Sequence, residues 1–280
     1  MIDWASTVGQ SPLRLLAVHA HPDDETLATG LALAHHHLAG DDVHVITCTA
    51  GEEGEVIPSA LAHLEGSEDL GAHRCTELAA AMSALGVEHE FLGEYAGSGP
   101  RRWRDSGMVG SAAAAHAQAF TGAPVAELAQ ALRDRVLALK PDIVLTYDPQ
   151  GGYGHPDHIR THEVTVSALE GIPASERPRL FMVLTPKSWA QEDRDWLAHN
   201  VAADLGWTIL NTEDDYAVSV VPDDEVEYQL VDPAAAHLQT EALRYHRTQV
   251  SVGAGFYALS NNIAARLGGR EGYTEFDWHR

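Results

Sequence analysis

The sequence is short of cysteine, of positive charge and of long apolar runs, and each shortage excludes something. Its two cysteines, Cys48 and Cys75, are too few for a disulfide framework in 280 residues and do not form a C-x-x-C pair, so both are expected to be reduced and partly buried. Only 18 basic residues stand against 41 acidic ones, and the formal charge of -23 argues against nucleic acid and anionic membrane surfaces as partners. No apolar run approaches the roughly 20 residues of a membrane span, and residues 1–12 lack the basic and apolar regions of a secretory signal. The expectation is a soluble, cytoplasmic protein with no membrane partner. Several hydrolase and nucleotide motifs are missing too: there is no G-x-S-x-G elbow, no H-E-x-x-H pair, no P-loop, and no G-x-G-x-x-G after the first strand.

Histidine, by contrast, is plentiful and clustered, with 17 in the chain. The densest polar stretch is His19-Ala20-His21-Pro22-Asp23-Asp24-Glu25, which follows the apolar run Leu13 to Val18 and precedes a helical pattern over residues 27–38. Polar residues where a buried strand turns into a helix lie on the sheet edge that binds ligands in open α/β folds. The same grammar recurs. A strand over 42–49 runs into Gly51-Glu52-Glu53-Gly54-Glu55, with a helix over 71–85 and a short strand at 88–92. After a helix over 125–139, a strand over 142–149 opens into Gly151-Gly152-Tyr153-Gly154-His155-Pro156-Asp157-His158 and a further helix to about 169. Strands alternating with helices predict a Rossmann-like α/β fold: a mostly parallel sheet with helices on both faces, and both polar clusters on one edge.

Beyond Gly171 the pattern is less regular. We expect a catalytic domain over 1–171 and a smaller α+β subdomain over 172–280, with about 233–263 packing back on the first domain. Within it the sequence suggests strands at 180–184, 216–221 and 226–231, helices over 188–205 and 233–249, and a surface tail after Gly268. Residues 97–121, rich in Gly, Ser, Arg and Ala, read as a long loop covering a substrate, Arg101 to Met108 being part of it.

The two polar clusters read best as one site. His21, Asp24 and His158 make a His/Asp/His set, and three protein ligands plus an open position is the arrangement of catalytic zinc. The same donors also accept iron(II). Asp23 beside a liganding Asp24 is placed to take a proton from water at the ion. His155, with Asp157 next to it, is expected to have a raised pKa and to act as an acid to a leaving amine or oxyanion, assisted by the Tyr153 hydroxyl. Other polar residues have plainer readings: His19 and His44 as structural histidines, His35 to His37 at a helix C-terminus, Glu25 as a first-turn acid, and Asp148 paired with backbone or a histidine. Two rival classes remain open: a non-haem iron oxygenase using a facial triad, and a non-catalytic metal- or sugar-binding module.

Ala20 to Glu25 together with Gly154 to His158 resembles the paired motifs of the LmbE-like (PIG-L) zinc-dependent N-deacetylases, and the resemblance extends over residues 13–170. It is strongest to the branch working on N-acetylglucosaminyl-inositol in mycothiol biosynthesis, through Thr47 to Glu55, Arg102 to Met108, Tyr147 to Tyr153 and Ala258 to Asn262. What it implies is hydrolysis of an N-acetyl group from a small aminosugar-inositol. It also implies zinc on His21, Asp24 and His158, Asp23 as base, and His155 and Tyr153 as acid or oxyanion donors. Arg74 and Asp105 would hold substrate hydroxyls, with Glu55 and Met108 lining the same pocket. A sister activity, cleavage of mycothiol S-conjugates at a related amide, shares these motifs.

Overall fold

Leu15, Leu16, Ala17 and Val18 are all buried, as a continuous apolar run requires of a strand covered on two faces. The structure, a computed structural model, describes residues 1–4, 9, 12–93 and 103–279; Arg101, Arg102 and the rest of the expected loop over 97–102 lie outside the described residues. In chain order the first half contains β1 (Ile2–Asp3), β2 (Arg14–His19), α1 (Asp24–Ala28), α2 (Gly30–Ala39), β3 (Asp42–Thr47), α3 (Asp69–Leu85), β4 (Glu88–Phe91), α4 (Val125–Leu139) and β5 (Ile143–Tyr147). The second half contains α5 (Gly151–Gly154), α6 (Pro156–Glu170), β6 (Arg179–Pro186), α7 (Lys187–Asn200), β7 (Val220–Val221), β8 (Tyr228–Val231), α8 (Pro233–Leu243), β9 (Ser251–Val252), β10 (Phe256–Ala258), β11 (Ala264–Arg266) and β12 (Arg270–Glu275).

One sheet runs in the order β1-β8-β12-β6-β5-β2-β3-β4, with β7 paired to β6, and β11-β10-β9 make a small separate sheet. From β4 to β6 the strands are parallel, and β12 is antiparallel to both its neighbours. Alternating side chains of β2 divide between two cores: Leu15 and Ala17 join Leu31, Leu78 and Ala242 from α2, α3 and α8, while Leu16 and Val18 join Leu132 and Val164 from α4 and α6. This is the expected layered fold, a mostly parallel sheet with helices on both faces.

The sheet does not end where the domain boundary is expected. β6, β8 and β12 continue it beyond residue 171, and α8 packs on α2 and α3. What the later residues build apart from it is a small cluster of Leu197, Val201, Phe256 and Ala264, between α7 and the small sheet. Their elements are shorter than the sequence suggests: α7 stops at Asn200, α8 at Leu243, and the expected strand over 216–221 pairs only at Val220–Val221. Among the described residues no helix is long and apolar enough to cross a membrane. Neither cysteine is in a disulfide; Cys48 is buried and Cys75 half-buried.

Two expectations are corrected. The tail after Gly268 is not surface: β12 lies inside the sheet and Tyr273 is fully buried. The segment reads as polar because Glu271 is buried for a purpose. Its carboxylate accepts the Leu31 and Ala32 backbone N–H groups at 2.7 and 3.0 Å and the Tyr273 hydroxyl at 2.5 Å. The helix expected over 27–38 is likewise two helices, broken at Thr29 (φ -132°, ψ 12°), and Glu271 caps the restarted α2 from a strand 240 residues away.

Replacing Glu271 with leucine leaves three buried donors unpaired and should lower the unfolding free energy by about 2–4 kcal/mol, as read from urea melts. Burial holds this carboxyl up at about 7 from an ordinary 4.5, so its contribution to stability is full below the lower value and is lost as pH rises toward the upper one. Across that window the wild type should lose stability relative to Glu271→Gln. A difference independent of pH would show that Glu271 does not titrate there.

Candidate metal centre and active site

Parallel pairing of β2 with β5, in the register Leu15↔Ile143 to Ala17↔Leu145, brings the turns that follow the two strands to the same edge. After β5, Asp148 accepts the Gln150 and Gly152 N–H groups at 2.7 and 2.9 Å, so it shapes the loop through the backbone. Gly151, at φ 65°, approaches α6 so closely that a Cβ there would lie 2.7 Å from the Ile159 nitrogen. The close approach has a use: the Gly151 carbonyl faces His158 Nδ1 at 3.2 Å, which fixes the proton on Nδ1 and leaves Nε2 bare.

That bare nitrogen is one corner of a triangle. His158 Nε2, His21 Nδ1 and Asp24 Oδ2 are mutually 3.2 Å apart. Atoms bound to one ion at about 2.0–2.2 Å stand about this far apart, so the three fit a single zinc-sized cation. Each is braced from behind. Asp157 faces His21 Nε2 at 3.3 Å, the Tyr147 ring stacks on His158 at 4.3 Å, and the His21 N–H donates to Asp24 Oδ2 at 2.9 Å. Two other sets, His21/His155/His158 and His21/Asp105/Asp157, have ligand atoms within 4.8 Å of one another. The Asp24 set is tighter, its three donor atoms standing 3.2 Å apart with Asp24 Oδ2 held in place by that His21 N–H. Electrostatics point the same way. Burial opposes it, yet Asp105, Asp157 and Asp24 hold the His21 pKa well above its ordinary value. So many buried carboxylates around one imidazole make a centre that wants a cation.

Asp23 lies between the two candidate ligands of its turn, His21 and Asp24, with φ 99°, a left-handed conformation that is strained for a side-chain-bearing residue. Its N–H bonds to Glu25 Oε2 at 3.0 Å, and its carboxylate lies 3.5 Å from the Arg74 guanidinium. Burial pushes the Asp23 pKa up to about 6, with Arg74 opposing and Asp24 adding. Arg74 also bonds the carbonyls of Gly51 at 2.6 Å and Pro22 at 2.5 Å, tying α3 to both loops. In front of Asp23 and the ligands opens a cavity of about 740 Å³. Arg74, Asp105, Glu55, Met108, Tyr153 and His155 all line it, so every residue expected to touch substrate is gathered there. Asp105 is anchored rather than free, accepting the Gly107 and Glu53 N–H groups at 2.8 and 3.2 Å.

The expected raised pKa of His155 is corrected. Burial lowers it to about 3, reinforced by the neighbouring rings of His21 and His158, and Asp157 has turned its carboxylate to His21 and the Ser106 N–H. His155 Nδ1 accepts the Asp157 N–H at 3.2 Å, so the neutral ring carries its proton on Nε2 as a hydrogen-bond donor. Asp157, fully buried, supports His21 from behind. The plainer readings of the histidines fit: His19 bonds Thr29 at 2.9 Å with its pKa lowered to about 4 by burial, and His35 and His36 pair with Asp232 and Asp41 at 2.7 Å.

Sequence reasoning missed Tyr147, Glu25 and His246. Tyr147 was open to discovery as the last aromatic residue of a strand ending at the site edge. Glu25 looks like an ordinary first-turn acid but is fully buried and bonds His246 Nε2 at 3.0 Å. Nothing local marks His246, which is 221 residues away. Gln249, Ser260 and Asn261 complete the far wall of the cavity from the C-terminal half.

Comparison with known proteins places the chain in a family. A curated relative from Actinosynnema mirum, described as a 1D-myo-inositol 2-acetamido-2-deoxy-alpha-D-glucopyranoside deacetylase, is 46% identical over 264 residues, covering 91% of this chain and 88% of that protein. A protein of the same description from Mycolicibacterium gilvum is 42% identical and covers 93% of this chain and 89% of its own. Among solved structures, the A40926 pseudoaglycone deacetylase shares the fold at a TM-score of 0.57 with 21% identity, over 96% of this chain and all of that one (100%). The family model described as PIG-L, GlcNAc-PI de-N-acetylase, matches residues 16–169, a span that holds the whole triangle and Asp23, and the chain belongs to that family.

Proposed function

We propose that this protein is a zinc-dependent deacetylase that hydrolyses the acetamide of N-acetylglucosaminyl-inositol to glucosaminyl-inositol and acetate, in mycothiol biosynthesis. One observation carries the reaction: three donor atoms stand 3.2 Å apart, and two of their residues, His21 and Asp24, line one cavity together with Asp23, while His158 lines the adjoining one. The substrate rests on the two relatives described as deacetylases of that glucopyranoside. A volume of about 740 Å³ lies within the range of small-molecule sites, and carboxylates, an amide and a guanidinium line it for hydroxyl groups.

His21, Asp24 and His158 would hold the ion, which when bound supplies Lewis acidity to the amide carbonyl and to water. Asp23 takes the proton of the attacking water, its buried carboxylate being a better base than an exposed one. As the carbonyl carbon becomes tetrahedral, negative charge gathers on its oxygen. His155 Nε2–H and the Tyr153 hydroxyl, both on the cavity wall, are the donors for that charge. The proton taken by Asp23 then goes to the departing amine, so the base also serves as acid and His155 stays neutral. Arg74 and Asp105, held by backbone partners, orient the sugar, while Glu55 and Met108 line the same cavity.

A second substrate reading has one observation in its favour. A cavity of about 340 Å³, lined by Asp24, His158, Tyr147 and Tyr153 and extending to Trp189 and Tyr257, backs the site and has far more room than an acetyl methyl needs. A larger acyl group, as in a mycothiol S-conjugate, would fit there.

Acetate release from N-acetylglucosaminyl-inositol should be zinc-dependent, lost on chelation, and should exceed S-conjugate cleavage in kcat/KM. The reverse ranking would favour the amidase, and activity on neither would sink both readings. Asp23→Ala should keep stoichiometric zinc and lose about 10²–10⁴-fold in kcat, whereas His158→Ala should lose the metal as well. Tyr153→Phe should cost about 10²-fold in kcat with KM little changed, and an unchanged kcat would remove it from the oxyanion site.

A further inference from the structure

The base assignment for Asp23 raises a structural problem, because Asp23 lines the cavity with its backbone at φ 99°. A residue with a Cβ relaxes from that region unless its surroundings hold it there. The Asp23 carbonyl accepts the Thr26 and Leu27 N–H groups at 3.0 and 2.9 Å as α1 begins, and its own N–H, on the side that sets φ, donates to Glu25 Oε2 at 3.0 Å. Glu25 is fully buried, and its other oxygen is occupied as well: Oε1 meets His246 Nε2 at 3.0 Å and the Thr26 hydroxyl at 2.5 Å. His246, 1% exposed, follows α8 and is fixed by its own surroundings. Its carbonyl accepts the Gln249 and Val250 N–H groups at 3.1 and 2.8 Å. The adjacent Thr248 is locked to Glu77 of α3 through both its N–H and its hydroxyl, at 2.9 and 2.6 Å. The α8 side chain Gln239 adds a bond to the Thr26 carbonyl at 3.0 Å.

We infer that His246 is a positioning residue for catalysis, which holds Glu25 so that Glu25 in turn pins the Asp23 backbone with its carboxylate in the cavity. His246 does not line that cavity, and it touches neither the ligand atoms nor the space a substrate would fill. Its action is relayed through one carboxylate to one peptide N–H. Removing the imidazole frees Glu25 to turn toward other donors, and Asp23 to relax out of the left-handed region. A shift of about 1 Å in a reacting group is enough to cost roughly 100-fold in rate. The triangle of His21, Asp24 and His158 has separate supports in Asp157, the stacked Tyr147 ring and the Gly151 carbonyl, so metal binding should survive.

This inference rests on Asp23 being the base, and a double-mutant cycle on the zinc-loaded enzyme tests the two separately. His246→Ala should lower kcat about 10–100-fold while KM and zinc content change less than about twofold. His246→Gln, which returns an N–H donor toward Glu25, should restore the rate to within about threefold. In an Asp23→Ala background, His246→Ala should cost nothing further, because there is no carboxylate left to position. An equal loss in both backgrounds, a loss of zinc, or a wild-type rate in His246→Ala would each overturn the inference. A wild-type rate in Asp23→Ala alone would instead overturn the base assignment. If the alanine variant does not fold, Glu25→Gln is the substitute. It keeps the shape but supplies one acceptor oxygen where two are needed, and should show the same kcat loss at constant zinc and the same silence without Asp23.

Discussion

The parallel pairing of β2 and β5 is the constraint on which the rest depends. Neither turn holds a metal site alone, because His21 and Asp24 offer two donors and His158 one. Hydrogen bonding of the two strands in a fixed register brings the turns to within 3.2 Å of one another at the donor atoms. Buried apolar side chains on both faces of β2 fix that register, since a slip would move Leu15 and Leu16 into the wrong cores. The chemistry at the edge is therefore stabilised by hydrophobic packing well behind it.

Around this junction the protein accepts local costs that only a functional site explains. Asp23 is held in a left-handed conformation, three carboxylates from three different segments are buried near one imidazole, and Gly151 lies where no side chain fits. Each cost has a neighbour that offsets it: Glu25 for the Asp23 backbone, Arg74 for its charge, backbone N–H groups for Asp105 and Asp157. A bound cation would settle the remaining imbalance. The site is thus built less by its ligands than by the groups that hold them.

The C-terminal half belongs to this construction. It supplies the far wall of the cavity through Gln249, Ser260 and Asn261, caps α2 through Glu271, and meets Glu25 through His246. Because β6, β8 and β12 lie in the same sheet as β2 and β5, these contacts sit on one continuous frame.

By itself the sequence determined the alternating strand-helix grammar and the edge on which the polar turns would gather. It also marked out the candidate donors His21, Asp24 and His158 and the neighbouring Asp23, since all four stand within short motifs at strand ends and local periodicity is enough to find them. The break at Thr29, the buried place of β12, the neutral donor state of His155 and the roles of Tyr147, Glu25 and His246 were decided only by the tertiary structure. Each of these depends on a partner distant in sequence: Glu271 restarts α2, Asp157 turns to His21 instead of His155, and His246 reaches Glu25 across the fold. Local pattern records which side chains a segment offers and which face it hides. It carries no record of what will be waiting on the other side, and burial beside that partner sets both the charge and the orientation of each group.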